Sequence, residues 1–167
     1  FNIVIMTSTG SLEKKYDLYI GGRVVPAVRK SYFDAINPST GEVIAHIADA
    51  SAEDIHQAVA SARKSFDEGY KSGGISARER SRELIALAQL IREHAKELAE
   101  LECLDTGKTL KQTTFIDIPT AADTFEYFGN NSEMVKGELI RVVSPALCLT
   151  EREPAGVVAA IIPWNYP

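Results

Sequence analysis

The sequence has few cysteines, no long apolar run and no excess of basic charge. The two cysteines among its 167 residues, Cys103 and Cys148, cannot form a disulfide framework, so we expect a reducing, cytoplasmic environment. The net charge of -5 argues against a surface that neutralises phosphates, which disfavours a nucleic-acid partner. Apolar runs fall short of the roughly 18 residues that a membrane span requires, so no membrane association is expected.

Motifs for nucleotides and metals are missing as well. No Gly-x-Gly-x-x-Gly occurs, so the ordinary dinucleotide-binding fingerprint is absent. The three histidines, His46, His56 and His94, lack the spacing of metal ligands. Gly107-Lys-Thr109 matches the end of a phosphate-binding P-loop, but that motif needs a glycine at position 102, which is glutamate, and a preceding strand. The sequence therefore disfavours an ATP site.

The first third of the chain predicts short antiparallel strands. Residues 18–25 predict two strands around a turn at Gly21-Gly22, and residues 34–45 repeat the pattern around Asn37-Pro38 and Thr40-Gly41. These strands are expected to form an edge layer of an α/β fold. Residues 1–17 have no clear period and are predicted to be a loose leader without the character of a signal peptide.

Helices follow, each marked by its capping residues. Ser51 predicts an N-cap, and Ser76 with Glu79 forms a full capping box. The third helix is predicted to end at Gly107, and the fourth to follow Pro119 and run to about position 137. The first helix has an apolar face formed by Ile55, Ala58, Val59, Ala62 and Phe66.

The last thirty residues change to strand patterns. Residues 139–143 and 147–152 predict a hairpin around Ser144-Pro-Ala146, which needs a partner sheet because isolated hairpins are marginal. Gly156 to Ile162 is an unbroken apolar run, typical of a strand covered on both faces in a parallel sheet. Pro163 ends that strand, which places Asn165 at the carboxyl end, where α/β sheets bind ligands. A lone central strand cannot satisfy its backbone, so we expect this chain to be a fragment.

Several of these segments together resemble the NAD(P)-dependent aldehyde dehydrogenase family. The order Glu-Pro-x-Gly-Val-Val-x-x-Ile-x-Pro-Trp-Asn-Tyr-Pro at positions 153–167 resembles the start of that family's cofactor-binding sheet. Asn-Pro-Ser-Thr-Gly-Glu-Val-Ile at 37–44 and Leu-Asp-Thr-Gly-Lys at 104–108 match in the expected order. The variants Asp-Thr-Gly-Lys and Trp-Asn-Tyr-Pro resemble the betaine-aldehyde and amino-aldehyde branch.

The resemblance implies oxidation of a small aldehyde to its acid, with NAD or NADP as cofactor. In the family, a cysteine thiolate attacks the aldehyde, an asparagine amide holds the oxyanion, and a glutamate-activated water hydrolyses the thioester. The matching asparagine is Asn165, and Ile162, Pro163 and Trp164 would line the cofactor. The nucleophile and the glutamate would lie beyond Pro167, so Cys103 and Cys148 are expected to be structural and the fragment inactive alone.

The resemblance also implies a monovalent cation site, an assembly role and a division of the chain. Asp105 and the backbone carbonyls of Ala35 and Ile36 match a site for K⁺ or Na⁺ in some members, and oxygen ligands suit such a hard cation. The hairpin at 137–153 would belong to the oligomerisation domain of a homo-oligomer. Residues 18–136 and 154–167 would belong to the cofactor-binding domain. The alternative is a truncated, non-catalytic remnant that acts as an assembly or binding segment.

Overall fold

The computed structural model describes residues 14–71 and 74–167. The strands in this part of the chain are β1 (Lys15–Tyr16), β2 (Leu18–Ile20), β3 (Arg23–Val25), β4 (Tyr32–Ile36), β5 (Val43–Ala48), β6 (Glu138–Ile140) and β7 (Cys148–Thr150). The α-helices are α1 (Ala52–Phe66), α2 (Ala77–Glu93), α3 (Ala95–Thr106), α4 (Leu110–Gln112) and α5 (Ile118–Asn131). Two π-helical turns occupy Asp67–Lys71 and Thr113–Asp117, and a 3₁₀ turn occupies Ser132–Met134. The described chain is thus mixed α and β, as predicted.

Both predicted strand pairs near the amino terminus are confirmed. β2 and β3 pair antiparallel, and Gly21 and Gly22 connect them with φ angles of 62° and 80°, which glycine adopts without steric cost. β4 and β5 also pair antiparallel. In the turn between them, the Asn37 side chain accepts a hydrogen bond from the Ser39 N–H at 2.9 Å, and the Gly41 N–H donates to the Asn37 carbonyl at 2.8 Å.

A third strand corrects the predicted leader. β1 pairs parallel with β5, which gives the strand order β1-β5-β4. The loose leader predicted for residues 1–17 is therefore wrong at Lys15 and Tyr16, because β5 offers them a free edge that no local pattern could reveal. Residues 1–13 of the predicted leader lie outside the described residues.

Helix α1 begins at a cap that also joins it to the strands. The N–H and hydroxyl of Ser51 both donate to one carboxylate oxygen of Asp54, at 2.8 and 2.7 Å. The other oxygen of Asp54 accepts from the Val28 N–H at 3.0 Å, and the residue is 3% exposed. The hydrogen bonds from the Ser51 side chain and backbone, and then that from Val28, lower the pKa of Asp54. A predicted local cap is thus also a tertiary link.

The apolar face of α1 is only partly buried. Ile55 and Val59 expose 54% and 48% of their surface, although they lie on the face that the sequence predicts. The helix itself is confirmed, and Ala58 and Phe66 on the same face are half-buried, so the face is covered only in part.

Helices α2, α3 and α5 pack around very small side chains. Ala88, Ala99 and Ala122 are fully buried, one on each of these helices. At Gly129 of α5, an added Cβ would lie 2.9 Å from Cγ1 of Ile85, so the glycine allows close approach to α2. Over the described ranges, no helix is long and apolar enough to cross a bilayer.

Polar contacts fix the ends of this helical layer. The Ser76 hydroxyl accepts from the Glu79 N–H at 3.2 Å, and the Glu79 carboxylate accepts from the Ser76 N–H at 2.7 Å, so the predicted capping box is confirmed. The Arg92 guanidinium on α2 pairs with Asp123 on α5 at 2.8 Å and also with Glu126. Gly107 ends α3 in the left-handed region, with φ of 72°, as the sequence predicts.

The last two predicted strand regions have different outcomes. The hairpin is confirmed, since β6 and β7 pair antiparallel with Leu139 opposite Leu149, although both strands are shorter than predicted. The strand predicted at Gly156–Ile162 is wrong for this structure, because residues 151–167 contain no strand. A central strand needs neighbours on both edges, and the described chain supplies none, so Val158 and Ile161 are 75% and 98% exposed.

Candidate functional site

The carboxyl-terminal turn carries the asparagine that the sequence singles out. Residues 163–166 form a turn closed by the Tyr166 N–H, which donates to the Pro163 carbonyl at 3.3 Å. Asn165 is at a central position of this turn and is exposed, so its amide is accessible. The prediction that Pro163 ends a strand is wrong for this structure, because residues 151–167 contain no strand and Pro163 instead begins the turn.

Of the predicted cofactor-lining residues, Ile162 directly precedes this turn and Pro163 and Trp164 belong to it, and all three are open to solvent. Ile162 is 61% exposed and Trp164 88%, and Pro163 is exposed as well. Large apolar side chains in such a position form a surface on which a planar ring could pack. Upstream, Gly156 passes the guanidinium of Arg63, so that an added Cβ would lie 3.7 Å from its terminal nitrogens. The segment thus runs past the end of α1.

Next to the turn lies a buried ionic cluster that the sequence analysis missed, which we call the Lys108 clamp: Glu102, Lys108 and Asp117. The Lys108 ammonium donates to a carboxylate oxygen of Glu102 at 2.9 Å and to one of Asp117 at 2.7 Å. The side chains of Lys108, Glu102 and Asp117 are only 14%, 10% and 3% exposed. Burial works to lower the pKa of Lys108, but the hydrogen bonds to Asp117 and Glu102 outweigh it and raise that pKa. Lys108 therefore carries its charge throughout the physiological range.

Three different local features bring the clamp together. Glu102 belongs to α3, Lys108 follows the left-handed cap at Gly107, and Asp117 ends the π-helical turn before α5. The Cys103 thiol donates to the Lys108 carbonyl at 3.0 Å, which fixes the backbone beside the ammonium group. One oxygen of Asp117 is buried without a hydrogen-bond partner. This oxygen leaves the cluster with more acceptor capacity than the described side chains use.

The clamp touches the turn directly. The Lys108 ammonium lies 3.8 Å from the centroid of the Tyr166 ring, well within the roughly 6 Å of a cation–π contact. Tyr166 is adjacent to Asn165, so the clamp and the candidate site are neighbours. A sequence signal for the clamp did exist: Asp117 is an acid between apolar residues, Phe115-Ile116 before it and Ile118 after it, a position where a charge needs a partner.

The surroundings of Lys108 also argue against the P-loop interpretation. Lys108 follows a helix and its ammonium is engaged by two carboxylates and an aromatic ring. A P-loop lysine must instead be free to reach phosphate oxygens.

Neither cysteine has the surroundings of a catalytic thiol. Cys103 is half-buried near the carboxyl end of α3, and its thiol donates a hydrogen bond to the Lys108 carbonyl. Cys148 is half-buried within β7. Both fit the structural role that was predicted for them. Among the described residues, no group of three or more histidine, cysteine or acidic side chains could hold a metal ion.

The residues predicted to hold a monovalent cation occupy two packed segments. Ala35 and Ile36 end β4 at an irregularity in its register, and Asp105 is exposed in the last turn of α3. The turn after β4 packs against the end of α3, since an added Cβ at Gly107 would lie 2.8 Å from the Pro38 ring. The structure thus brings the two segments near each other, and cation binding stays a prediction.

Comparison with known proteins identifies the family. The model of the aldehyde dehydrogenase family matches residues 25–167. DhaS of Bacillus subtilis (strain 168), whose name assigns it to the aldehyde dehydrogenases, is 43% identical over 150 residues, which are 90% of this chain and 30% of DhaS. The chain belongs to the aldehyde dehydrogenase family.

Solved structures agree with this assignment. A P. syringae AldA indole-3-acetaldehyde dehydrogenase variant in complex with NAD⁺ and IAA is 38% identical with a TM-score of 0.83, covering 89% of this chain and 30% of that one. A betaine aldehyde dehydrogenase variant from Staphylococcus aureus in complex with NAD⁺ is also 38% identical with a TM-score of 0.83, covering 90% and 30%. The chain thus spans about 30% of the length of these relatives.

Proposed function

We propose that this chain is the amino-terminal part of an enzyme that oxidises a small aldehyde to its carboxylic acid with NAD as cofactor. Family membership supports the reaction, and the NAD⁺ complexes of two similar structures support the cofactor. The observation that carries the proposal is the turn at residues 163–166, which presents the amide of Asn165 to solvent beside Ile162, Pro163 and Trp164.

Asn165 would act where negative charge develops. When a thiolate adds to the aldehyde carbon, the carbonyl oxygen becomes an oxyanion, and the Asn165 amide N–H groups are donors suited to hold it. NAD, when bound, would accept the hydride that leaves that carbon. The apolar surface of Ile162, Pro163 and Trp164 fits the flat rings of such a cofactor and would exclude water around them. A thioester between the enzyme and the acyl group would then be hydrolysed.

The substrate is proposed at the level of a class. Relatives named for indole-3-acetaldehyde and for betaine aldehyde are equally similar to this chain, at 38% identity. The resemblance to the betaine-aldehyde branch therefore stays a prediction, and a small aldehyde is the substrate class we propose.

The experiment is an assay of NAD reduction with a panel of small aldehydes, using the 167-residue chain and the protein expressed from the complete gene. Each is prepared as wild type, as Asn165→Ala, and as the matched control Asn130→Ala, which removes an exposed asparagine from α5. We expect no activity from the 167-residue chain, because neither Cys103 nor Cys148 is placed as a nucleophile. In the gene product, Asn165→Ala should lower kcat by about 10²–10³-fold, the usual effect of removing one oxyanion donor.

Three outcomes would contradict the proposal or a part of it. Activity in the 167-residue chain would mean that a nucleophile lies within it. An inactive wild-type gene product would instead favour the alternative, a non-catalytic assembly or binding segment. Equal rates for Asn165→Ala and Asn130→Ala would remove the oxyanion role from Asn165 while leaving the reaction intact.

A further inference from the structure

We propose that Lys108 is a positioning residue for Asn165: held by Glu102 and Asp117, it fixes the Tyr166 ring and thereby the turn that carries the asparagine. This inference rests on the proposed function for the role of Asn165. Its structural part, the control of the turn by Lys108, is independent of any activity.

The clamp is rigid enough to serve as an anchor. The Lys108 ammonium has three N–H donors, and two carboxylates from different elements hold it at 2.9 and 2.7 Å in a nearly buried position. Its backbone is fixed too, because the carbonyl accepts from the Cys103 thiol and the N–H donates to the Thr106 hydroxyl at 3.4 Å. The ammonium therefore has one favoured location.

The turn needs such an anchor. Residues 151–167 contain no strand, so in the described chain backbone ladders do not hold this segment, and side-chain contacts must do so. The contact of Tyr166 with the Lys108 ammonium, at 3.8 Å from the ring centroid, ties the last part of the segment to the helical layer. Because the Tyr166 N–H closes the turn onto Pro163, fixing Tyr166 also fixes the turn around Asn165.

A cation–π contact makes a specific demand on the residue at position 166. It uses the face of the ring and not the hydroxyl, so phenylalanine should replace tyrosine without loss, whereas leucine should not. Position 108 correspondingly requires a cation, because an uncharged side chain cannot form a cation–π contact with the Tyr166 ring.

Trp164 provides a direct readout, because it is the single tryptophan of the chain and precedes Asn165. The decay of its fluorescence anisotropy, excited at 295 nm, separates local motion from tumbling of the whole chain. We expect Tyr166→Phe to keep the slow component of the wild type and Tyr166→Leu to lose it. Tyr127→Leu, which removes an exposed ring from α5, is the matched control and should keep it.

The same measurement tests Lys108. Lys108→Met should lose the slow component, whereas Lys111→Met, the same change at an exposed lysine nearby, should not. Since Lys108→Met leaves two buried carboxylates without a cation, the neutral triple variant Glu102→Gln/Lys108→Met/Asp117→Asn provides a second test, with far-UV circular dichroism as the measure of folding. We expect both Lys108→Met and the triple variant to lose the slow component of the anisotropy decay. A folded variant of either kind with wild-type anisotropy, or equal behaviour of Tyr166→Phe and Tyr166→Leu, would overturn the proposal.

Kinetics of the complete gene product test the link to Asn165. Lys108→Met should lower kcat by about 10- to 100-fold, because a displacement of about 1 Å can cost that much, and should change KM little. In the Asn165→Ala background the same substitution should have almost no further effect, since the group that it positions is gone. Additive losses would refute positioning through Asn165. If the anisotropy results are as expected but Asn165→Ala leaves kcat unchanged, the proposed function is refuted, whereas the anchoring of the turn by Lys108 is not.

Discussion

Thr113→Val tests whether the π-helical turn at 113–117 is held in place by one buried hydroxyl. Thr113 is fully buried, and its hydroxyl donates to the Ala99 carbonyl on α3 at 2.9 Å, with the Leu110 carbonyl at 3.2 Å. This contact fixes the turn against α3, and Asp117 of the clamp stands at the end of that turn. Valine has a similar size to threonine but replaces the hydroxyl with a methyl group, which cannot donate a hydrogen bond.

The expected loss of stability is the balance of two destabilising contributions and one stabilising contribution. Loss of a neutral hydrogen bond costs about 1 kcal/mol. The new methyl group must move away from a carbonyl oxygen that the hydroxyl approached at 2.9 Å, which adds about 1 kcal/mol of repacking. Burial of an additional methyl group returns about 0.8 kcal/mol. The net destabilisation is therefore about 1–2 kcal/mol.

Urea unfolding followed by far-UV circular dichroism measures this cost. With an m value of about 2 kcal/mol/M, in the middle of the range of about 1–3 for small proteins, the midpoint should fall by roughly 0.5–1 M at unchanged m. The matched control is Thr124→Val, because the Thr124 hydroxyl also donates to a carbonyl, that of Thr120 at 2.8 Å, but in an exposed position where water can replace it. The control should stay within about 0.5 kcal/mol of the wild type.

Equal midpoints for Thr113→Val and Thr124→Val would refute the reasoning. Such a result would mean that packing alone fixes the π-helical turn and that its hydroxyl contributes nothing beyond its volume. A changed m value would point elsewhere, to a less compact native state or a loss of two-state unfolding.

Two further predictions concern the capping residues. Gly107→Ala should destabilise the chain by about 1–2 kcal/mol for the left-handed backbone and by about 1–3 kcal/mol more for a methyl group 2.8 Å from the Pro38 ring. Gly41→Ala, with φ of 76° and open space around it, should show only the first cost, so equal thermal midpoints for the two variants would exclude the clash. The hydrogen bonds from the Ser51 side chain and backbone, followed by that from Val28, lower the pKa of Asp54. The ionised Asp54 should therefore stabilise the folded chain fully above the ordinary aspartate pKa of about 3.9. This stabilisation should disappear as the pH falls through the lower pKa of the folded state. Urea midpoints between pH 6 and pH 2 should therefore fall less steeply for Asp54→Asn than for the wild type, and parallel curves would contradict this.

Local chemistry made several elements of the fold predictable. The capping boxes at Ser51 and Ser76 and the left-handed cap at Gly107 depend on residues within a turn or two of each other. The hairpins at 18–25 and 138–150 follow from alternation and turn residues in the same way. The family was also evident from motifs in order along the chain. For such features the sequence already contains both partners of each interaction.

Other features depended on neighbours that are distant in sequence. β1 forms because β5, whose paired residues lie 31 positions later, offers an edge, and periodicity over two residues carries no such signal. The predicted strand at 156–162 failed for the converse reason: its apolar composition fits a central strand, but strand structure requires partners that the described residues do not supply.

The candidate site likewise combines a feature set by adjacent residues with contacts between residues that are distant in sequence. The sequence by itself determined that an asparagine follows an apolar run and a proline, because that order is a matter of adjacent residues. Only the tertiary structure decided that Lys108 is clamped by Glu102 and Asp117 and lies against Tyr166. These contacts join residues up to 58 positions apart, and Coulombic and cation–π attraction depend on distance in space, which folding alone determines.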